Sequence, residues 1–148
     1  MKIASTSFSV VAPGRRCFVD LTDERDEAIE EAGISEGFAV AFTLHTTCAL
    51  IINEWEDGVL ADLSSRLARL VPDDVYYAHD DLTLRTQNLT HEERRNGPAH
   101  VVSMIMGGTS HAIPISGEEP LLGRWQRLFL LELDEPKERT IRIHTYGE

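Results

Sequence analysis

Three histidines stand in polar contexts that suit acid–base or metal chemistry. His45 opens a His-Thr-Thr triplet between two apolar segments, His79 precedes two aspartates, and His100 follows Pro98 by two positions. A histidine with carboxylates nearby can bind a metal or take part in proton transfer. No His-x-x-x-His or Cys-x-x-Cys pair is present, so a metal site would have to be assembled from separate segments.

His45 lies at the end of a predicted strand, Gly37 to His45. Strand alternation places it on the same face as Ala39, Ala41 and Thr43. These small side chains leave space beside the imidazole, which favours a pocket. The triplet also lacks the Gly, Asn, Asp or Pro of an ordinary hairpin turn. A plain hydrogen bond from His45 to a neighbouring strand is the alternative.

His79 and His100 each allow a structural and a functional interpretation. The pattern predicts a short helix from Ala99 to Met106, with Pro98 suited to its start. The positive end of a helix dipole lowers the pKa of an imidazole and favours its neutral, metal-binding form. A solvent-facing position at the helix start is the alternative for His100. An exposed polar loop is the alternative for His79, whose neighbour Asp80 could be its acid–base partner.

Two further segments carry groups that suit ligand binding. The Gly-Gly-Thr-Ser run that includes Gly108 and Ser110 offers backbone amides and hydroxyls that could cradle a phosphate. It matches no nucleotide-binding fingerprint, so it is a weak signal alone. In Leu-Gly-Arg-Trp-Gln, Trp125 and Gln126 could close a pocket or form a subunit contact. Burial of Trp125 in the core is the alternative.

The order of elements predicts a single α+β domain over residues 1–148. Strands come mostly in consecutive pairs, which favours a largely antiparallel β-sandwich or barrel-like core with two or three helices. Residues 72–98 show little periodicity and are predicted to form a long loop. The predicted strands are 2–12, 16–21, 37–45, 48–53, 109–115, 126–133 and 139–146, and the predicted helices are 22–32, 57–70 and 99–106.

Composition narrows the partners and the compartment. The chain has 148 residues, of which 42% are hydrophobic and 26% are charged, as in ordinary globular proteins. Its net charge of -11 argues against binding to nucleic acid or anionic membranes. No bilayer-spanning run or signal-peptide pattern is present, so we expect a cytoplasmic protein. Two distant cysteines predict neither a disulfide framework nor a cysteine-rich zinc site.

Read in order, several motifs together resemble one family. They are HTTCALIINE, YYAHDD, AHVVSMIMGGTSHAIPI, LLGRWQ and a C-terminal GE. The chain resembles the YjbQ-like family from about Ile3 to Glu148, a family often labelled secondary thiamine-phosphate synthase. The sequence departs from the shorter family pattern in residues 81–97. That longer segment adds Arg85, Arg94 and Arg95 to an otherwise acidic chain.

The resemblance implies a fold, an assembly and a set of site residues. Members look like compact α+β homotrimers with clefts near the subunit contacts. The resemblance implies that three histidines converge on a divalent metal, zinc or magnesium, or on an anion. The implied catalytic residues are His45, His79, His100 and Asp80. The implied substrate-binding residues are Thr46, Asn53, Gly108, Ser110, Trp125 and Gln126, and Glu54, Asp57, Asp62 and Glu132 are further recurrent polar positions.

The family label implies a transferase reaction on small phosphorylated metabolites. Hydroxymethylpyrimidine diphosphate would be joined to thiazole phosphate with loss of pyrophosphate, as a main or a side activity. Such a reaction needs a group that stabilises the leaving pyrophosphate, such as Mg²⁺ or arginine. A metal-assisted hydrolase and a non-catalytic trimeric binding protein are the alternatives that use the same residues.

Overall fold

The computed structural model describes all 148 residues, Met1–Glu148, and contains eight strands and three α-helices. The strands are β1 (Lys2–Val11), β2 (Phe18–Asp20), β3 (Glu36–Thr43), β4 (Cys48–Glu54), β5 (Ser110–Ser116), β6 (Glu119–Pro120), β7 (Gln126–Glu132) and β8 (Glu138–Gly147). The helices are α1 (Thr22–Ala32), α2 (Asp57–Leu70) and α3 (Gly97–Met106), and a single 3₁₀ turn spans Ala78–Asp80. None of the helices has the length and apolar character needed to cross a bilayer.

The strands form two antiparallel sheets. The larger sheet has the order β1-β8-β3-β5-β6, and the smaller sheet has the order β2-β7-β4. All neighbouring strands run antiparallel. This arrangement confirms the predicted α+β class with a mostly antiparallel, sandwich-like core.

The main core fills the space between the two sheets. It takes Ala39 and Ala41 from β3, Ile113 from β5, and Leu50 and Leu130 from the smaller sheet. The small side chains of β3 are therefore the buried ones, and its larger apolar side chains lie on the opposite, more exposed face. Strand alternation explains why each set shares a face, because every second side chain points to the same side of the sheet.

A second apolar cluster lies on the other side of the smaller sheet. There α2 contributes Leu67, α3 contributes Ala99 and Val102, and β4 and β7 contribute Ala49 and Leu131. Because β4 and β7 are thus buried on both faces, they read in sequence as continuous apolar runs. This packing fixes α3 against the start of β4.

Four differences from the predicted elements amount to two residues or more, or to a whole added element. β2 is short because the chain before it turns, with Arg16 in the left-handed region at φ 55°. β3 ends at Thr43, so His45 lies in the turn that follows rather than in the strand. The structure begins α3 two residues earlier, at Gly97, and adds the two-residue strand β6.

Candidate functional site

A polar cavity of about 410 Å³ lies between the β3–β4 turn (residues 44–47) and the start of α3. None of the residues that line it is hydrophobic. The side chains that matter for its chemistry are those of Thr46, His79, Arg85, Glu93, Asn96 and His100. A cavity of this composition suits a charged, hydrogen-bonding ligand better than an apolar one.

Four separate segments supply these side chains. Thr46 comes from the β3–β4 turn, His79 from the 3₁₀ turn, and His100 from the first turn of α3. Arg85 comes from the aperiodic segment of residues 81–97. This segment therefore forms one wall of the cavity.

His79 and His100 are brought together. Their ring centroids are 4.5 Å apart, with an angle of 53° between the ring planes. Burial lowers the pKa of His100, and His79 and Arg85 lower it further, against an opposing effect of Asp134. His100 is therefore mostly neutral at pH 7, and its ring makes no hydrogen bond within the chain, so it is available to a ligand.

Arg85 is held rigidly beside His79. It forms an ion pair with Glu93 at 2.8 Å and donates to the backbone carbonyls of His79, Gln87 and Asn88. Its Nη1 atom also lies 3.2 Å from Nε2 of His79. These contacts order the 81–97 segment and keep a guanidinium at the cavity.

His45 does not line this cavity. Its Nε2 accepts a hydrogen bond from the backbone N–H of Thr140 at 2.9 Å, at the beginning of β8. Burial lowers the pKa of His45, and the positive charges of Arg139 and Lys137 lower it further. An imidazolium has no lone pair with which to accept this bond. His45 is therefore a neutral ring that ties the β3–β4 turn to β8, next to the cavity residue Thr46.

A fully buried ion pair fixes the rest of that turn. Arg139 donates from Nε to Glu132 at 2.6 Å, and from Nη2 to the carbonyl and hydroxyl oxygens of Thr47 at 3.1 and 3.0 Å. Glu132 also accepts from the backbone N–H groups of Leu133 and Asp134. Thr47 thus has a structural role, while its neighbour Thr46 faces the cavity.

Arg139 was not among the predicted site residues, although the sequence of β8 contains a pattern that could have identified it. Arg139, Ile141 and Ile143 alternate along the strand and are all buried. An arginine on the apolar face of a strand predicts a buried acidic partner, because an unpaired buried charge is very costly.

Asp80 does not line the cavity and makes no hydrogen bond to either histidine. Its carboxylate accepts from the backbone N–H of Gly97 at 2.8 Å, at the first residue of α3. A side chain on Gly97 would meet Tyr77 and Asp80, which explains the glycine there. Asp80 therefore satisfies an otherwise unpaired N–H of the helix and positions the turn that bears His100.

Three of the predicted substrate-binding residues lie at the other end of β4. Asn53 pairs with Arg127 across the sheet, next to Gln126, whereas the cavity end of β4 begins at Cys48. Five residues of strand separate the two ends by about 17 Å. Trp125 is 61% exposed and lies under the guanidinium of Arg124. The chain does not bring these residues to the cavity.

Gly108 and Ser110 also lie outside the cavity. Gly108 is packed against β4, where a Cβ would come within 2.4 Å of the carbonyl oxygen of Leu50. Its own carbonyl oxygen accepts from the N–H of Leu50. Ser110 is exposed on β5, opposite Phe42. Close backbone approach thus explains the glycine, and the phosphate-binding role of Gly108 stays a prediction.

The single chain does not supply a complete metal site. No group of three or more His, Cys, Asp or Glu side chains is arranged to hold a metal ion. Zinc sites use at least three protein ligands, and here only His79 and His100 are adjacent. A metal at this point would need ligands from outside the chain, whereas the guanidinium of Arg85 and the ring N–H of His100 are donors that suit an anion.

Sequence relatives share nearly the whole chain. Residues 6–148 match the family described as UPF0047 protein YjbQ-like. A UPF0047 protein of Methanothermobacter thermautotrophicus is 32% identical, over 88% of this chain and 82% of its own length. The UPF0047 protein YugU of Bacillus subtilis is 32% identical, over 87% of this chain and 89% of its own length.

Solved structures share the fold from end to end. A YbjQ-like protein of unknown function from Sulfolobus solfataricus superposes with a TM-score of 0.87 at 27% identity, over 99% of both chains. A hypothetical protein from Aeropyrum pernix superposes with a TM-score of 0.84 at 29% identity, over 98% of this chain and 99% of its own. The sequence matches and the shared fold together establish that the chain belongs to the UPF0047 (YjbQ-like) family.

Proposed function

We propose that the cavity binds the phosphate or diphosphate group of a small metabolite. The observation that carries this proposal is the placement of Arg85. Four acceptors hold its guanidinium beside His79, and Arg85 lines the same cavity as His100. Arginine and imidazole N–H groups are good donors to phosphate oxygens. Because the whole chain carries a charge of -11, an anionic ligand requires such a local positive group.

We further propose that the two histidines make the cavity catalytic. A neutral His100 can accept a proton from an attacking group or, once protonated, give one to a leaving oxygen. Arg85 would stabilise the negative charge on a departing pyrophosphate. Proton donation to the leaving oxygen and stabilisation of pyrophosphate fit the thiamine-phosphate synthase reaction implied by the family label. Proton abstraction from an attacking group fits the hydrolase alternative instead, because the attacking thiazole nitrogen carries no proton. The cavity itself offers no aromatic ring for the pyrimidine, so the phosphate end of the substrate is the better supported part.

Binding of pyrophosphate and inorganic phosphate, measured by calorimetry, tests the first proposal. We expect the wild type to bind pyrophosphate and Arg85→Met to bind it about tenfold more weakly or worse, because a charge-assisted contact is lost. Arg124→Met is the matched control, since it removes an arginine at Trp125, outside the cavity lining. Absence of pyrophosphate binding by the wild type, or equal affinity in Arg85→Met, would contradict the proposal.

Turnover separates an enzyme from a binding protein. Wild type and His100→Ala are supplied with hydroxymethylpyrimidine diphosphate and thiazole phosphate, and release of pyrophosphate is followed. We expect release by the wild type and a loss of about 100-fold or more in His100→Ala if His100 transfers the proton. Pyrophosphate binding without turnover in the wild type would favour the non-catalytic alternative, and full activity of His100→Ala would exclude His100 from catalysis.

A divalent metal, zinc or magnesium, is the alternative occupant, as in a metal-assisted hydrolase. It would need ligands from outside the chain, and a bound phosphate oxygen or a neighbouring subunit could supply them. Metal content of protein purified without chelators, with and without pyrophosphate, tests this directly. Stoichiometric metal that disappears in His79→Ala would support it.

We also propose that the chain assembles with copies of itself, as the expected homotrimer. The outer face of the larger sheet carries exposed apolar side chains on and just after β3: Phe38 is 45% exposed, Phe42 38% and Leu44 53%. Several exposed apolar side chains on one sheet face are typical of a contact surface. Leu44 is two residues from Thr46, so such a contact would border the cavity. The molar mass in solution, compared with that of Phe42→Glu, tests this assembly.

A further inference from the structure

Asn96 stands at the start of α3 but does not cap the helix with its side chain. Its backbone carbonyl accepts from the N–H groups of Ala99 and His100 at 3.0 and 3.3 Å, and its side chain makes no capping bond. Asparagine in this position ordinarily uses its side-chain oxygen to accept from an N–H of the first turn. Here the amide is directed elsewhere.

The side chain of Asn96 connects Asp134 to His79. Nδ2 donates to Oδ2 of Asp134 at 3.0 Å, and Oδ1 lies 3.2 Å from Nε2 of His79. Burial by itself raises the pKa of Asp134, but hydrogen bonds from Lys137 and Asn96 outweigh it and the pKa is lowered. Asp134 is thus a carboxylate, which can only accept. The amide NH₂ must therefore face Asp134, and the amide oxygen must face His79.

This orientation determines which ring nitrogen of His79 carries a proton. An amide oxygen can only accept a hydrogen bond, so Nε2 of His79 must be an N–H. Arg85 lies 3.2 Å from the same nitrogen but is itself only a donor. Its guanidinium has acceptors of its own in Glu93 and in the backbone carbonyl of His79. In the neutral ring the lone pair is therefore on Nδ1.

We propose that Asn96 and Asp134 are positioning residues that hold His79 in the Nε2–H tautomer, so that His79 exchanges protons with a bound metabolite through Nδ1. In that exchange an O–H bond of the ligand breaks and an N–H bond forms at Nδ1. The ring becomes an imidazolium that keeps its Nε2–H on Asn96, and the proton later leaves Nδ1 for the departing group. The exchange rests on the proposed function, whereas the tautomer is a property of the ligand-free protein.

Nitrogen NMR of the ligand-free protein tests the tautomer. Long-range ¹H–¹⁵N correlations distinguish the two neutral forms of an imidazole from each other and from the imidazolium, and loss of signals in His79→Gln assigns the ring. We expect the neutral fraction of His79 in the wild type to be Nε2–H only. Asn96→Ala and Asp134→Asn should both give a mixture of tautomers. The first removes the acceptor of the Nε2–H, and the second removes the carboxylate that fixes the orientation of that acceptor.

Asn88→Gly is the matched control. Asn88 lines the same cavity, but its side chain makes no hydrogen bond to His79, and glycine suits its φ of 52°. We expect it to retain the wild-type tautomer. A wild-type neutral ring with the proton on Nδ1, or unchanged Nε2–H in Asn96→Ala and Asp134→Asn, would overturn the proposal. The wild-type spectrum alone decides its first part, even if a variant fails to fold.

A parallel titration with pyrophosphate keeps this proposal separate from the proposed function. If the wild type has the Nε2–H form but does not bind pyrophosphate, the tautomer stands and the proposed function fails. If pyrophosphate binds to a protein whose His79 is protonated on Nδ1, the proposed function stands and the positioning role is wrong. On binding, we expect the ¹⁵N signal of Nδ1 to shift more than that of Nε2, and the reverse would overturn the role of Nδ1.

Discussion

The chain contains three arginine–glutamate pairs on or beside the candidate site, and they differ mainly in depth. The side chains of Arg139 and Glu132 are 2% and 0% exposed, those of Arg85 and Glu93 14% and 15%, and those of Arg94 and Glu135 55% and 39%. All three pairs have the same chemistry. The comparison therefore isolates the effect of burial on what a guanidinium can do.

The buried pair and the cavity pair use their arginines differently. The hydrogen bonds of Arg139 go to Glu132 and Thr47, so this residue fixes the β3–β4 turn. Arg85 is also ordered by the chain, but one side of it faces a cavity that a ligand can enter. Depth thus separates an arginine that builds the site from one that is available to a phosphate.

The largest effect is expected for Arg139→Met, which leaves Glu132 charged and unpaired in the core. We expect the free energy of unfolding to fall by about 3–5 kcal/mol, as for other broken buried ion pairs. Urea denaturation measures this. Adding Glu132→Gln should recover part of the loss, because glutamine is uncharged yet can still accept from the N–H groups of Leu133 and Asp134. A loss below about 1 kcal/mol would show that the pair is not what holds the turn.

Arg85→Met is expected to separate binding from stability. Because this pair is partly hydrated, we expect a loss of only about 1 kcal/mol in unfolding free energy. The same variant should weaken pyrophosphate binding about tenfold or more, as argued for a charge-assisted contact. Urea denaturation and calorimetry on one preparation measure both. A stability loss as large as that of Arg139→Met would mean that Arg85, like Arg139, mainly stabilises the fold.

The fold followed from sequence more fully than the site did. Alternation in residues 37–45 predicted which side chains of β3 share a face, and helical spacing in 57–70 predicted α2, because both patterns are local. The proximity of His79 and His100 depends on how α3 packs on β4, which no local pattern contains. The resemblance singled out both residues, but the ring-to-ring distance of 4.5 Å comes only from the structure.

Three other features of the site could not be predicted from the sequence, and each has a physical reason. His45 was read as a strand residue beside a pocket, but β3 ends at Thr43 and the ring bonds to the N–H of Thr140, 95 residues away. Arg85 lies in an aperiodic segment, where no spacing indicates that its guanidinium returns to His79. Asn53 recurs in the family motif beside the histidine triplet, yet strand geometry carries it to the far end of β4.

A smaller, pH-dependent effect is expected from the two histidines with lowered pKa values. In the folded state the pKa of His45 and that of His100 lie below the usual value of 6.5. The unfolded chain therefore binds protons more readily, so this stability is fully present above about pH 6.5 and decreases as the pH falls below it. Urea denaturation between about pH 7.5 and about pH 5.5 measures the slope.

The variant His45→Gln shows how much of that pH dependence of stability comes from His45, the histidine that ties the turn to β8. Glutamine can still accept a hydrogen bond from the N–H of Thr140 but does not titrate. We expect this variant to lose less stability than the wild type on the same acid shift, while His100→Ala changes the binding of pyrophosphate as well. An identical slope in wild type and His45→Gln would mean that the bond to Thr140 survives protonation or does not form.

The smallest effect is expected for Arg94→Met, which removes the most exposed of the three pairs. Arg94 lines the cavity on its open side and pairs with Glu135, but both side chains are well hydrated. An exposed pair contributes about 0–1 kcal/mol, so urea denaturation should barely distinguish this variant from the wild type. Pyrophosphate binding should weaken only two- to threefold, about 0.5 kcal/mol, and that loss should vanish at high salt because exposed charges are screened. A tenfold loss that persists at high salt would instead place Arg94 in direct contact with the phosphate. The decrease in effect with increasing exposure would then hold only from Arg139 to Arg85.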